Sequence, residues 1–227
     1  MVDFAPPADI TAARLQLFAP RCDYLALAPK LDAAAKARAI DTPRRVRHWL
    51  AQLHHESLGF TQFEEGLSYS AERLVVVWPA RFPTLSSATP FARNPKALAE
   101  KVYGGRCGNV RPGDGYLFRG SGLIQLTFHD NYAAGGAWCG FDLVARPDLA
   151  RDPATAAQIA AAFWQAHGLN QVVDADADEK VVADIHARIK ANELDDVRQA
   201  RRIINGAAVG LDDVVTQLQR AALIWRG

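Results

Sequence analysis

The chain has 227 residues, 49% of them hydrophobic, enough to bury a full core in one domain of ordinary to large size. Lys and Arg number 26 against 25 Asp and Glu, so a formal charge of +1 gives no electrostatic reason to expect nucleic acid or an anionic membrane as partner. No run approaches the roughly 20 apolar residues that cross a bilayer, so no stable membrane insertion is expected, and a soluble monomer is the expectation.

From the N-terminus, residues 1–9, with Ala5-Pro6-Pro7-Ala8, read as a loose lead-in, and 10–227 as a single domain without a low-complexity linker or an internal repeat. The opening stretch MVDFAPPADITAARLQLFAP has no basic n-region and no unbroken apolar core. It does not read as a secretory signal, so the protein is expected to be made in the cytoplasm. Thr42-Pro43 starts a helix with a cap followed by a proline at its first position, and Val46, Trp49, Leu50 and Leu53 recur on one face until Gly59 ends it. Asn94-Pro95 starts another in the same way and runs to Gly104-Gly105. Further helical patterns cover about 23–39, 70–78, 128–138, 153–167, 179–191, 194–204 and 211–225. Strand signals are confined to short pieces within 60–70 and 116–127, while 79–93 and 105–120 read as long irregular loops suited to the walls of a cleft. The expected class is α+β and mainly α-helical.

Cys22, Cys107 and Cys139 are scattered without a CxxC pair, which argues against a disulfide framework or a zinc site and leaves them as small core residues. The acidic stretch from Asp174 to Glu179 lacks the glycine and the final bidentate glutamate of a calcium loop and reads as a solvated turn. No metal and no cofactor are expected. The basic clusters Arg44, Arg45, Arg47 and Arg201, Arg202 read as solvated helix faces.

Chemistry concentrates in two runs, His55-Glu56-Ser57-Leu58-Gly59-Phe60 followed by Glu65-Gly66-Leu67-Ser68-Tyr69-Ser70, and GDGYLFRGSGLIQLTFHDNY over 113–132. Glu56 is in helical register with Trp49 and Leu53 and stands in the last turn of its helix. Burial and the negative end of the helix dipole there both favour the protonated form that a general acid requires. Glu65, in the Gly- and Ser-containing segment beyond, is better solvated and suits a general base; its neighbour Glu64 is the competing choice. The glycines of the second run allow close backbone approach, and no phosphate-binding pattern is present.

These runs, HES-x-GF, E-x-L-x-YSA and RG-x-GLIQLT with a following N-Y pair, together with ARRIINGAAVGLDD at 200–213, resemble glycoside hydrolase family 19 over about residues 10–225. That family contains plant-type chitinases and lysozyme-like phage endolysins, and the match is nearer to the endolysins. The resemblance implies a lysozyme-like fold with a substrate cleft and an inverting mechanism. In such a mechanism the two carboxyls stand roughly 6.5–9.5 Å apart to admit a water. It further implies Glu56 as acid, Glu65 as base with Thr127 holding the attacking water, and Tyr69, Gln125, Asn131 and Asn205 on the sugar. Arg220, on the last helix, is implied as the arginine near the acid. Three places depart from the family pattern: Leu58 and Phe128 stand where glycines are usual, and Ser121 where an arginine is usual. The two larger residues are expected to reshape subsites.

The expected substrate is bacterial peptidoglycan, cut at the β-1,4 bond between amino sugars by an endolysin-like enzyme released through a membrane lesion or a secretion machine. A chitinase acting on β-1,4-linked N-acetylglucosamine is the alternative. A silent amino-sugar-binding module is a third reading, which the presence of both glutamates disfavours.

Overall fold

The computed structural model describes residues 6–174, 194–205 and 210–226, the side chains of 194–196 and 205 excepted. Two compact units emerge from the contacts within the chain. The first comprises Met1–Phe63, Gly122–Ile124 and Asp152–Gly227, the second Glu64–Ser121 and Gln125–Arg151.

The first unit is built around the helix Pro43–Glu56. Thr42 accepts the Arg45 N–H at its N-terminus, Pro43 takes the first helical position, and Val46, Trp49, Leu50 and Leu53 are buried. The helix packs most extensively against Leu211–Ile224, while Tyr24–Lys36 packs against Pro153–Ala166, whose run of alanines permits close approach. Ala12–Phe18, Leu169–Asp174 and Leu194–Asn205 complete the unit. Trp49, Trp164 and Trp225 are fully buried, and removal of such a ring costs about 3–5 kcal/mol. Two of their indoles are satisfied, Trp164 by Asn170 Oδ1 at 2.9 Å and Trp225 by the Asp9 carbonyl at 3.0 Å.

A smaller core organises the second unit, with Leu67, Leu74, Phe82, Leu98, Ala99 and Val102 at its centre. Its helices are Ala71–Val77, Leu85–Ala88, Pro95–Tyr103, Asp114–Leu117 and His129–Cys139, with 3₁₀ turns at Thr89–Phe91 and Pro147–Arg151. Pro95–Tyr103 and Asp114–Leu117 pack closely because Gly115 lies against the backbone of the longer helix; a Cβ there would come within 2.6 Å of the Ala99 carbonyl oxygen.

Most of the helices predicted from periodicity are present, and the fold is mainly α-helical as expected. The 179–191 pattern lies outside the described residues, as does most of the acidic stretch that begins at Asp174. The expected strand pieces are reduced to isolated antiparallel bridges, Glu64 with Ser121 and Ser121 with Leu126. The two expected loops are not wholly irregular, since Leu85–Ala88 and Asp114–Leu117 form within them. Both are single turns, too short to show a period.

Two expectations about side chains are corrected. Cys22 is buried, but Cys107 is exposed and Cys139 only partly covered, so they are not uniformly core residues. The basic clusters are not simple solvated faces either. Arg47 is 6% exposed and Arg201 2%, and Arg45 bonds Asp174 Oδ2 through Nε at 2.8 Å. A basic residue is drawn inward when the tertiary structure supplies acceptors, which a sequence window cannot show. Among the described residues no helix is long and apolar enough to cross a membrane, and no group of His, Cys, Asp and Glu could hold a metal ion.

Candidate functional site

Each unit carries one of the two glutamates. Glu56 is the last residue of its helix, as its register predicts. The following turn is clamped by Ser57, fully buried, whose hydroxyl donates to the Leu53 carbonyl at 2.6 Å and accepts the Phe60 N–H at 3.0 Å. Leu58, Gly59 and Phe60 then all adopt left-handed backbone, turning the chain sharply away from the helix. The serine of the HES run is therefore a structural clasp that fixes where Glu56 stands.

Arg201, from the helix Leu194–Asn205, forms an ion pair with Glu56 Oε1. The two side chains are 2% and 15% exposed, so water screens the pair little. The arginine expected near the acid was Arg220. Its guanidinium instead donates to the Phe18 carbonyl at 2.9 Å and Gln217 Oε1 at 3.1 Å, so this expectation is corrected to Arg201. Asn205 closes the helix that carries Arg201, but its side chain lies outside the described residues. Beside Glu56, His55 Nδ1 is 2.6 Å from Asp213 Oδ2, and Gln217 donates to the other oxygen at 3.1 Å. Burial works against the charge on Asp213, but the bonds from His55 and Gln217 outweigh it and lower its pKa.

In the second unit Glu65 is held by neutral donors. The Tyr103 hydroxyl donates to Oε1 at 2.6 Å and the Gly120 N–H to Oε2 at 3.3 Å, while the Glu65 N–H returns to the Gly120 carbonyl at 2.8 Å. Burial first, then the charge of Glu65, raises the Tyr103 pKa and keeps the phenol a donor. The ring of Tyr103 meets Phe128 edge-on at 5.4 Å between centroids. Tyr69 stands against Trp78 at 5.3 Å, and its pKa is raised by burial and then by Glu65.

A Cβ at Gly120 would stand 2.8 Å from Gln125 Oε1 and 3.2 Å from Glu65 Cβ, so a larger residue there would push the Gln125 amide aside. Gln125 thus reaches the same spot as Glu65, from left-handed backbone at φ +52°. The Thr127 hydroxyl donates to the Gln125 carbonyl at 2.8 Å, and Asn131 Nδ2 to the Thr127 carbonyl at 2.8 Å. Thr127 keeps its lone pairs for another donor; Asn131 is exposed and keeps its amide oxygen.

Glu64 differs sharply from its neighbour. Arg119 forms an ion pair with its Oε1, donating from Nε at 2.7 Å, and Arg151 Nε lies 3.7 Å from Oε2. Successive residues of an extended segment point to opposite sides, which separates the two glutamates. Arg119 in turn lies 4.0 Å from the ring centre of Tyr116.

Tyr103, Arg201 and Arg119 were not singled out from the sequence as partners of the glutamates. Arg119 lies in the RG-x-GLIQLT run, Arg201 in the ARRIINGAAVGLDD segment and Tyr103 at the end of a helix whose start was evident, but none of these signals named a carboxylate partner.

No family model matches the chain. It is 33% identical over 178 residues, 78% of its length and 77% of the relative's, to a glycosyl hydrolase family 19 domain-containing protein of Haemophilus influenzae. Its fold is similar to the crystal structure of chitinase C from Streptomyces griseus HUT6037, with a TM-score of 0.62 at 16% identity over 99% of this chain and 79% of that one. A family 19, class IV chitinase from Zea mays follows at TM-score 0.51 and 14% identity, covering 96% and 92%. At these identities the two structures speak for the fold alone.

Proposed function

The chain belongs to glycosyl hydrolase family 19, and from that premise we propose that this glycoside hydrolase cuts the β-1,4 glycan of bacterial peptidoglycan by inversion, with Glu56 as general acid and Glu65 as general base. The observation that carries the assignment is the unlike support of the two glutamates and of Glu64. Glu65 is fixed by a phenol and a backbone N–H, donors that orient a carboxylate without neutralising it. Glu64 has its charge taken up by Arg119.

In the proposed step Glu65 removes a proton from the attacking water, whose oxygen bonds to the anomeric carbon. Glu56 gives a proton to the departing sugar oxygen as the glycosidic bond breaks. Arg201 occupies Oε1 of Glu56, which leaves Oε2 as the oxygen open to the departing sugar. The unused lone pairs of the Thr127 hydroxyl are available to the water, and Tyr69, Gln125 and Asn131 contact the N-acetyl sugars. The enzyme meets the wall after release by lysis or through a secretion machine.

Peptidoglycan is preferred because the two glutamates follow one another closely in the chain, as in the endolysins that the sequence resembles. The chitinase reading has its own support, since the structures with similar folds are chitinases. Digestion of purified peptidoglycan and of chitin oligomers side by side, with mass spectrometry and NMR of the new ends, tests the choice. The expected product ends in N-acetylmuramic acid and appears first as the α-anomer. Ends in N-acetylglucosamine would make the enzyme a glucosaminidase on the same wall. Hydrolysis of chitin oligomers with nothing released from peptidoglycan would overturn the proposal in favour of a chitinase.

A further inference from the structure

A pocket of about 500 Å³ in the first unit opens beside the end of the Pro43–Glu56 helix, and no residue of the proposed mechanism lines it except through the neighbour of Glu56, His55. We propose that this pocket binds a carboxylate carried by the sugar chain, with Arg21 and Arg220 as the cations and Leu58 as an apolar rest for the carbon beside the acid. The inference deepens the peptidoglycan reading and rests on it, because chitin carries no carboxylate.

Charge is the first support. Arg21, His54, His55, Leu58, Gln217 and Arg220 are among the residues around the pocket, and its one acidic residue, Asp213, is already engaged by His55 and Gln217. Arg21 is exposed and makes no hydrogen bond or ion pair to any other described residue. Arg220 is anchored by the Phe18 carbonyl and Gln217, which fixes its guanidinium without a counter-charge. Two guanidiniums and one carboxylate thus line the pocket, which is left with net positive charge.

His54 supplies a second support. It lines the pocket, and its buried Nδ1 has no hydrogen-bond partner among the protein groups. Burial, then the charge of Arg220, lowers its pKa to about 4, so the ring is a neutral donor or acceptor near pH 7.

Leu58 is the third. It stands where the family pattern has glycine, it keeps the glycine-like backbone at φ +49°, and its side chain is 62% exposed. A leucine held in left-handed backbone is strained, and exposing it recovers nothing from burial. A side chain retained on those terms points to a contact made with a ligand. An acid next to a methyl or methylene group fits Leu58 and the arginines together.

Peptidoglycan offers such a carboxylate in two places, the lactyl group of an unsubstituted N-acetylmuramic acid and the peptide stem. Titrating the cleavage-deficient Glu56→Gln protein with N-acetylmuramic acid, muramyl dipeptide and N-acetylglucosamine, while following the His54 and His55 ring signals by NMR, separates them. The expected result is a shift with one or both acids and none with N-acetylglucosamine. Response to N-acetylmuramic acid assigns the lactyl group, and response to muramyl dipeptide alone assigns the stem. Adding Arg21→Gln should weaken acid binding about tenfold, the scale of one charge-assisted hydrogen bond. Leu58→Gly should weaken it too while leaving the melting temperature equal or higher. Equal binding of all three sugars, or acid binding indifferent to Arg21→Gln, would overturn the pocket. The two readings fail separately. Peptidoglycan cleaved by the wild type with no acid response removes the pocket alone, and acid binding by a protein that cleaves only chitin removes the peptidoglycan reading.

Discussion

Glu56 and Glu65 are held in opposite ways. Glu56 ends a long capped helix in the first unit and meets a buried guanidinium, whereas Glu65 leaves an irregular segment in the second unit and meets a phenol and a backbone N–H. A regular helix fixes the direction of its last side chain through backbone geometry, so one cation suffices to orient the carboxyl. An irregular segment has no such geometry, and the position of Glu65 depends on several local contacts: the mutual bonds with Gly120, the reach of Tyr103, and left-handed backbone at Gln125 and Phe128. The first arrangement depends on charge and the second on shape.

Removing the cation should have the largest effect. Arg201→Met leaves the part-buried carboxyl of Glu56 without its buried cation, and loss of one partner of a buried pair costs about 3–5 kcal/mol, which urea denaturation will read as a lower midpoint. A loss below about 1 kcal/mol, the scale of surface pairs, would break the contrast by showing that Glu56 does not depend on charge.

Next come the glutamates themselves. Glu56→Gln and Glu65→Gln should each lower release of reducing ends by roughly 10² or more with the circular dichroism spectrum unchanged. Glu64→Gln keeps an acceptor for Arg119 and should leave turnover near wild type. The reverse ranking of the two adjacent glutamates would move the base to Glu64.

Tyr103→Phe sharpens the comparison from the other side. It removes only the hydroxyl on Glu65, and a hydrogen bond to a charged group is worth about 1.5–3 kcal/mol, so kcat should fall about tenfold or more with KM little moved. Unchanged kcat would mean that shape does not hold Glu65.

The smallest expected effect concerns His54, which packs on Phe18 and Phe60 at 5.1 and 5.9 Å between ring centres. Unfolded, its imidazole takes a proton near 6.5, but folded only near about 4. Between those values the unfolded chain binds more protons, so stability falls as pH drops through the window. His54→Phe keeps a ring against its neighbours and should flatten the fall in melting temperature from neutral pH to pH 4. An unaltered slope would show that His54 does not cause it.

The departures at Leu58 and Phe128 show where sequence patterns mislead. Glycine is usual at both places because the backbone is left-handed there, and both larger residues keep that backbone, at φ +49° and +77°. The pattern therefore recorded a conformation, and the substitution changed the surface while leaving the chain path intact.

What the sequence determined by itself is what short-range physics controls. Thr42-Pro43 and Asn94-Pro95 fix helix starts because capping joins residues only a few positions apart, and the period of Val46, Trp49, Leu50 and Leu53 carries Glu56 to its helix end. What the tertiary structure decided is which partner each glutamate meets: Arg201 for Glu56, 145 residues along the chain, Tyr103 for Glu65, 38 residues on, and Arg119 for Glu64, 55 residues on. Arg201 and Arg202 are adjacent and chemically alike in sequence, yet one is buried on a carboxylate and the other is exposed. The reason is that neighbouring helix residues point about 100° apart, and only the packing of a helix against the rest of its unit determines which of the two directions meets a carboxylate.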